Sequence, residues 1–173
     1  MKLSAPFSFE PMEVIKTEQR YSGRMFGENA GMMLFYDYNR DNQHRRIFMT
    51  DYRNANDKPK LISDLNIRDR YNDIGQPVTK TLANGKNVIL QNGEEIYLTG
   101  QGSSPEGDRP FLRQMNLQTL KTGEIFRSEK DVYENFAAFI GEDSIPIFNN
   151  QKNLHLKILT RSESTTKPPN LYL

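Results

Sequence analysis

The run from Glu94 to Arg127, EEIYLTGQGSSPEGDRPFLRQMNLQTLKTGEIFR, narrows the possible folds more than any other stretch. Ile96, Tyr97 and Leu98 form a short β-prone run. GQGSSPEGD interrupts it with three glycines and a proline, and Phe111, Leu112, Met115 and Leu117 resume an extended pattern. The polar Gln118–Gly123 segment then returns the chain to Ile125 and Phe126. Short apolar runs bounded by Gly, Pro, Ser and Asp clusters predict an antiparallel meander and leave no room for a useful helix.

The same grammar extends along the chain. Met12–Arg20 alternates weakly and reads as a first strand, and the glycines of Gly23–Gly31 read as a loop. Met32–Tyr38 (MMLFYDY), Arg46–Tyr52 (RIFMTDY) and Lys60–Leu65 (KLISDL) are predicted strands separated by polar turns. A polar segment with Gly75 and Pro77 reads as a connector. Tyr133–Ile140 reads as a strand, or as one helical turn followed by a strand, with its aromatic content and the following GED favouring strand; Leu154–Thr160 and Asn170–Leu173 are further strand patterns, and the last, cut short, points to a piece of a longer chain. Offsets of about 62 to 64 residues relate Leu34–Tyr36 to Ile96–Leu98, Arg46-Ile47-Phe48 to Arg109-Pro110-Phe111, and Leu61-Ile62 to Ile125-Phe126. With Met12–Arg20 and Val88–Leu90 as leading strands, each repeat holds four antiparallel strands, the content of a propeller blade. The expected fold is an all-β partial β-propeller: first blade 12–66, connector 67–86, second blade 87–128 and an incomplete third blade 129–173.

Composition excludes several functions. The 23 basic and 22 acidic residues are interspersed at a net charge of +1, so nothing points to nucleic acid. There is no cysteine for disulfide or thiolate chemistry. Two isolated histidines, His44 and His155, suggest no metal site, and no cofactor is expected. No apolar run approaches the roughly 20 residues of a membrane span. The first residues, MKLSAPFSFEPME, lack the apolar stretch of a signal peptide, although an exported, periplasmic parent protein stays compatible with that.

Three segments together carry a family likeness: RDRYNDIGQPV (68–78), GSSPEGDRPFL (102–112) and RSESTTKPPNLYL (161–173). Their order and spacing resemble the N-terminal β-propeller of the prolyl oligopeptidase family of serine peptidases, and within it the glutamyl-endopeptidase-like subgroup. SPEGDRPFL is the most specific of the three. Thr165 and Lys167 depart from the subgroup's usual wording, in which a proline and an acid stand. The resemblance implies a propeller that gates and helps bind peptide substrates for a C-terminal α/β-hydrolase domain, where a Ser-Asp-His triad sits on a G-x-S-x-G elbow. This chain contains no G-x-S-x-G, so it is expected to cleave nothing by itself and to hold no catalytic residue.

The residues that the resemblance would turn toward substrate are Glu28, Glu106, Asp108 and Arg109. An arginine at 109 suits bidentate binding of an acidic side chain. A turn in which Asp108 accepts backbone N–H bonds and Arg109 pairs with a neighbouring acid suits the same residues. Arg68, Asp69, Arg70 and Asp73 read as an ion-pair network joining blades. Expected partners are the hydrolase domain, peptide substrates and further copies of the chain, through open blade edges. The alternative is an independent all-β module that binds a peptide or glycan.

Overall fold

The computed structural model describes residues 6–29, 31–54, 56–141 and 157–173. Every regular element among them is a β-strand, and every strand ladder is antiparallel. Among the described residues no helix is long and apolar enough to cross a membrane. The chain divides into two compact units, one formed by residues up to Asp69 with Thr79–Ile89, the other by Arg70–Val78 with Leu90–Leu173.

In the first unit, β1 (Arg20–Phe26), β2 (Met32–Asn39), β3 (His44–Asp51) and β4 (Lys60–Asn66) form one sheet in chain order. The predicted strands at 32–38, 46–52 and 60–65 are all present. The predicted strand at Met12–Arg20 is not: the ladder begins at Arg20. Gly23, read as loop, lies inside β1 at a register shift against β2. A glycine within a strand commonly marks such a bulge, and the glycine-rich pattern hid the strand around it.

The segment read as a connector contributes two short strands, β5 (Gln76–Pro77) and β6 (Thr79–Thr81), and β7 (Asn87–Ile89) follows just beyond it. β6 and β7 pair as a hairpin of the first unit, with Gly27 bridging Ile89. Met33, Leu34, Phe35 and Ile47 of the sheet are buried, and so are Val88 and Ile89. Phe35 stacks on its cross-strand partner Phe48 at 5.1 Å between ring centroids.

In the second unit, β8 (Gln91–Asn92) leads into β9 (Glu95–Gly100). A small hairpin, β10 (Ser103–Ser104) with β11 (Gly107–Asp108), then separates β9 from β12 (Phe111–Asn116), and β13 (Thr122–Arg127) follows. The sheet order is β13-β12-β9-β5. The leading strand is therefore Gln76–Pro77, not the expected Val88–Leu90. Pro77 lacks an N–H to donate and occupies the position at the sheet edge that tolerates this. β14 (Tyr133–Phe139), β15 (Ile158–Glu163) and β16 (Asn170–Tyr172) make a third sheet. Of the expected strand 154–160, residues 154–156 lie outside the described residues, His155 among them.

The two meanders share their strand plan but not the expected alignment. Leu34 pairs with Met49, and Ile96 with Met115. In register, then, Met49 matches Met115, and Arg109-Pro110 falls before β12. The longer connection carrying β10 and β11 is what offsets the sequence from the ladder. Each meander also has a one-residue shift in its last hairpin, at Ile47/Phe48 and at Leu112/Arg113.

The core of the second unit lies between two of its sheets. Leu90, Tyr97 and Leu112 are buried, with Phe126 from β13 and Phe136, Phe139 and Ile158 from the third sheet packed against them. Tyr97 meets Phe139 edge-on at 5.0 Å, a geometry that adds about 0.5–1.5 kcal/mol beyond the area buried.

Candidate functional site

The β10–β11 hairpin exists because Pro105-Glu106 turns the chain and Ser104 Oγ accepts the Glu106 N–H (3.2 Å) and donates to the Gly107 carbonyl (2.8 Å). At its base, the Arg109 N–H donates to the Gly102 carbonyl at 3.0 Å. Gly102 holds φ +61, and a Cβ on it would run into the Arg109 carbonyl oxygen. That position requires glycine.

Asp108 joins two of the segments singled out in the sequence. Its carboxylate accepts from Ser103 Oγ at 2.7 Å and from Arg70 at 2.8 Å. The arginine that pairs with Asp108 is thus Arg70, 38 residues earlier, and not the adjacent Arg109. Arg109 turns its Nε to the Ser128 carbonyl at 3.0 Å, while its own carbonyl accepts from Arg127 at 3.2 Å. Ser128 is fully buried. Its hydroxyl donates to the Val132 carbonyl and accepts the Glu134 N–H at 3.0 Å. Arg109 therefore ties the hairpin base to the turn entering β14. Asp73, grouped in the sequence with Arg68–Arg70, accepts the Gly75 N–H at 3.1 Å and so shapes the turn before β5.

Around this hairpin lies an open cavity of about 710 Å³. Glu106 and Asp108 form one side, Asp131 and Tyr133 another, and residues 163–169 close it. The last stretch is bent by Ser164, whose carbonyl and N–H bond with Lys167 and whose hydroxyl accepts the Thr166 and Lys167 N–H groups. Asp131 stands at φ +64, a left-handed conformation that aspartate tolerates better than most residues. The Tyr133 hydroxyl bonds Gln101 at the cavity side.

The wall is carboxylate-rich, through Glu106, Asp108, Asp131 and Glu163, with Lys167 as its one cation; Asp108 is already paired with Arg70 and Glu163 with Arg161. Hydroxyls and carboxylates of this kind accept hydrogen bonds from a polypeptide's N–H and ammonium groups. Among the described residues no group of His, Cys, Asp and Glu could hold a metal ion.

On the β12–β13 ladder, two arginines flank one glutamate. Arg127 holds Glu124 with two bonds of 2.8 and 2.6 Å, and Arg113 approaches it at 3.8 Å. The Arg127 hydrogen bond keeps the Glu124 carboxyl below its ordinary range. Desolvation, and then repulsion from Arg127, push the Arg113 guanidinium down. Arg113 lies over the Phe111 ring at 4.1 Å, with Arg127 near the same ring at 5.6 Å. Sequence reading missed this group because its members are separated along the chain and only the ladder register unites them.

Glu28 stands apart from the other three expected residues. It sits in the β1–β2 turn of the first unit and pairs with Lys80 of β6. Glu106 and Asp108 share one cavity, while Arg109 is engaged with backbone.

No family model matches the chain, and no solved structure matches it significantly. Two curated proteins do. A probable chloroplastic glutamyl endopeptidase of Oryza sativa subsp. japonica is 28% identical over 181 residues, covering 100% of this chain and 19% of that protein. One of the same description from Arabidopsis thaliana is 26% identical over 176 residues, covering 96% of this chain and 18% of its own length. The chain is related to peptidases. It spans about a fifth of the length of these relatives.

Proposed function

We propose that this chain is a non-catalytic part of a serine peptidase of the prolyl oligopeptidase family: blades of a β-propeller that gate access and help bind peptides for a C-terminal α/β-hydrolase domain. The observation that carries the reading is the similarity of the whole chain to about a fifth of two proteins named as glutamyl endopeptidases. The antiparallel meanders, each with four strands in line, are the sheets a propeller needs. The absence of a G-x-S-x-G run agrees with a chain that supplies no nucleophile. In this reading the carboxylate-rich cavity around β10–β11 meets the peptide. Parts of all three segments that carry the family likeness gather there, through Arg70, the Ser103–Asp108 hairpin and residues 163–169. The mechanism is steric and electrostatic selection, without bond-making groups.

The test is hydrolysis by the purified chain of glutamyl and prolyl chromogenic peptides. No turnover is expected from the chain, and turnover is expected from a longer protein in which the chain is joined to a hydrolase domain. Activity of the chain that persists to high purity and is abolished by a serine-directed covalent inhibitor overturns the proposal.

A further inference from the structure

The sequence holds two Asn-Gly dipeptides, Asn84-Gly85 and Asn92-Gly93. In this pair a backbone nitrogen readily attacks the preceding side-chain amide, because glycine has no Cβ to stand in the way. At both sites the glycine is left-handed, with φ +78 at Gly85 and φ +58 at Gly93, and open space lies where a Cβ would stand. The two glycines are therefore alike, and a difference in reactivity has to come from how the fold holds the two asparagines.

Asn84 lies at the tip of the β6–β7 hairpin, where Ala83, Asn84, Gly85 and Lys86 are all exposed. Its Oδ1 accepts the Lys86 N–H at 3.0 Å, an Asx turn. That turn folds the side-chain amide over the Asn84–Gly85 peptide, and the hydrogen donated to Oδ1 draws electrons from Cγ. The Gly85 N–H donates to the Leu82 carbonyl at 2.9 Å, and the Leu82 N–H to the Lys86 carbonyl at 2.8 Å. Attack by the Gly85 nitrogen requires the first of these bonds to open. At an exposed hairpin tip such opening is local and costs little. Asn92 is held differently. It lies in β8 opposite Glu95, is half-buried, and its side chain is hydrogen-bonded to Tyr97, which is fully buried. Beside it, Gln91 Nε2 donates to the Gly93 carbonyl at 2.9 Å.

We propose that Asn84 is a site of spontaneous deamidation, and that the fold directs this reaction to Asn84 and slows it at Asn92. The Gly85 nitrogen gives up its proton and bonds to Asn84 Cγ. The Cγ–Nδ2 bond breaks, and the side-chain nitrogen leaves with that proton as ammonia. Water then opens the five-membered imide at one carbonyl or the other, giving aspartate or isoaspartate at 84. Water is the only other reactant, and nothing is oxidised or reduced. The new carboxylate takes the formal charge of the chain from +1 to zero. The isoaspartyl product also adds one atom to a backbone loop that two hydrogen bonds close, in the hairpin that carries the buried Val88 and Ile89. The inference does not depend on the peptidase reading.

Incubation of the whole chain at mildly alkaline pH, with peptide mapping by mass spectrometry over time, tests it. Each conversion raises the mass of its peptide by one unit. In the folded chain Asn84 is expected to convert at least fivefold faster than Asn92. In guanidinium chloride, where only the shared Asn-Gly sequence remains, the two rates are expected to fall within twofold of each other. Tyr97→Phe removes the hydroxyl that Asn92 bonds, and is expected to speed conversion at Asn92 at least twofold while leaving the rate at Asn84 unchanged. Four results overturn the proposal: equal or faster loss at Asn92 in the folded chain, no loss at Asn84 over a time in which the unfolded chain converts, a preference for Asn84 that persists in denaturant, or an Asn92 rate indifferent to Tyr97→Phe. None of these outcomes bears on whether the chain hydrolyses chromogenic peptides.

Discussion

Substituting Asp37 tests how the first sheet is held together. Asp37 lies on β2 directly opposite Arg46 on β3 and is 1% exposed. Arg46 reaches it with Nε at 2.9 Å and a terminal nitrogen at 2.6 Å, a bidentate pair, and the Gln19 N–H also donates to it at 3.3 Å. The bonds to Asp37, and then to Glu18, push the Arg46 guanidinium well above its ordinary range. Removing one member of a buried pair costs about 3–5 kcal/mol, because the other charge is left uncompensated. Arg46 keeps its 2.9 Å bond to the exposed Glu18 and its position 5.1 Å from the Phe48 ring. Asp37→Asn is therefore expected near the lower end, about 3 kcal/mol. At an m-value of about 1–3 kcal/mol/M that lowers the urea midpoint by roughly 1–3 M. The assay is urea unfolding followed by far-UV circular dichroism, run as a cycle with Arg46→Met and the double variant. The double variant is expected to lose less than the sum of the singles by about 1–3 kcal/mol. A loss below about 1 kcal/mol for Asp37→Asn, or strict additivity, refutes the view that this pair acts as one buried unit.

Gly102→Ala is expected to cost about 2 kcal/mol or more, since it combines an unfavourable φ with a collision against backbone. Gly85→Ala, at φ +78 with nothing within 4 Å of the added carbon, is expected to cost about 1 kcal/mol; equal losses in urea unfolding refute the collision argument. Arg109→Ala is expected to lower Tm and, in a longer active protein, to leave the rate ratio for acidic against neutral peptides unchanged, because Nε is spent on the Ser128 carbonyl; a selective loss on acidic peptides places the guanidinium at substrate instead. Burial pushes the Tyr97 phenol up to about 12, so the folded state holds that proton when the unfolded chain, near 10, has lost it. Its contribution to stability is fully present below pH 10 and drains away as pH rises toward 12; Tyr97→Phe is expected to flatten that decline in urea midpoints measured across this window, and an unchanged slope counts against the assignment.

The strands were legible because their signal is local. MMLFYDY, KLISDL and YENFAAF advertise themselves by β-branched and aromatic content between polar turns, and each became a strand. The meander order followed, since neighbours joined by short turns pair with each other. The absence of a serine elbow is likewise a property of the string alone.

What the string left undecided depends on which distant groups meet. Gln76–Pro77 carries almost no strand signal and becomes one because β9 offers an edge at Thr99 and Leu98. Asp108 has an arginine beside it in sequence and takes Arg70 instead. Arg109 was read as a charge, but its place beside Ser128 makes it a brace for the hairpin. Glu28 finds Lys80 because the β6–β7 hairpin joins the first unit. Side-chain alternation is set residue by residue. Partner choice is set by ladder register and by closure of loops of many residues, which no local pattern encodes, and so the strands belong to the sequence and the sites to the tertiary structure.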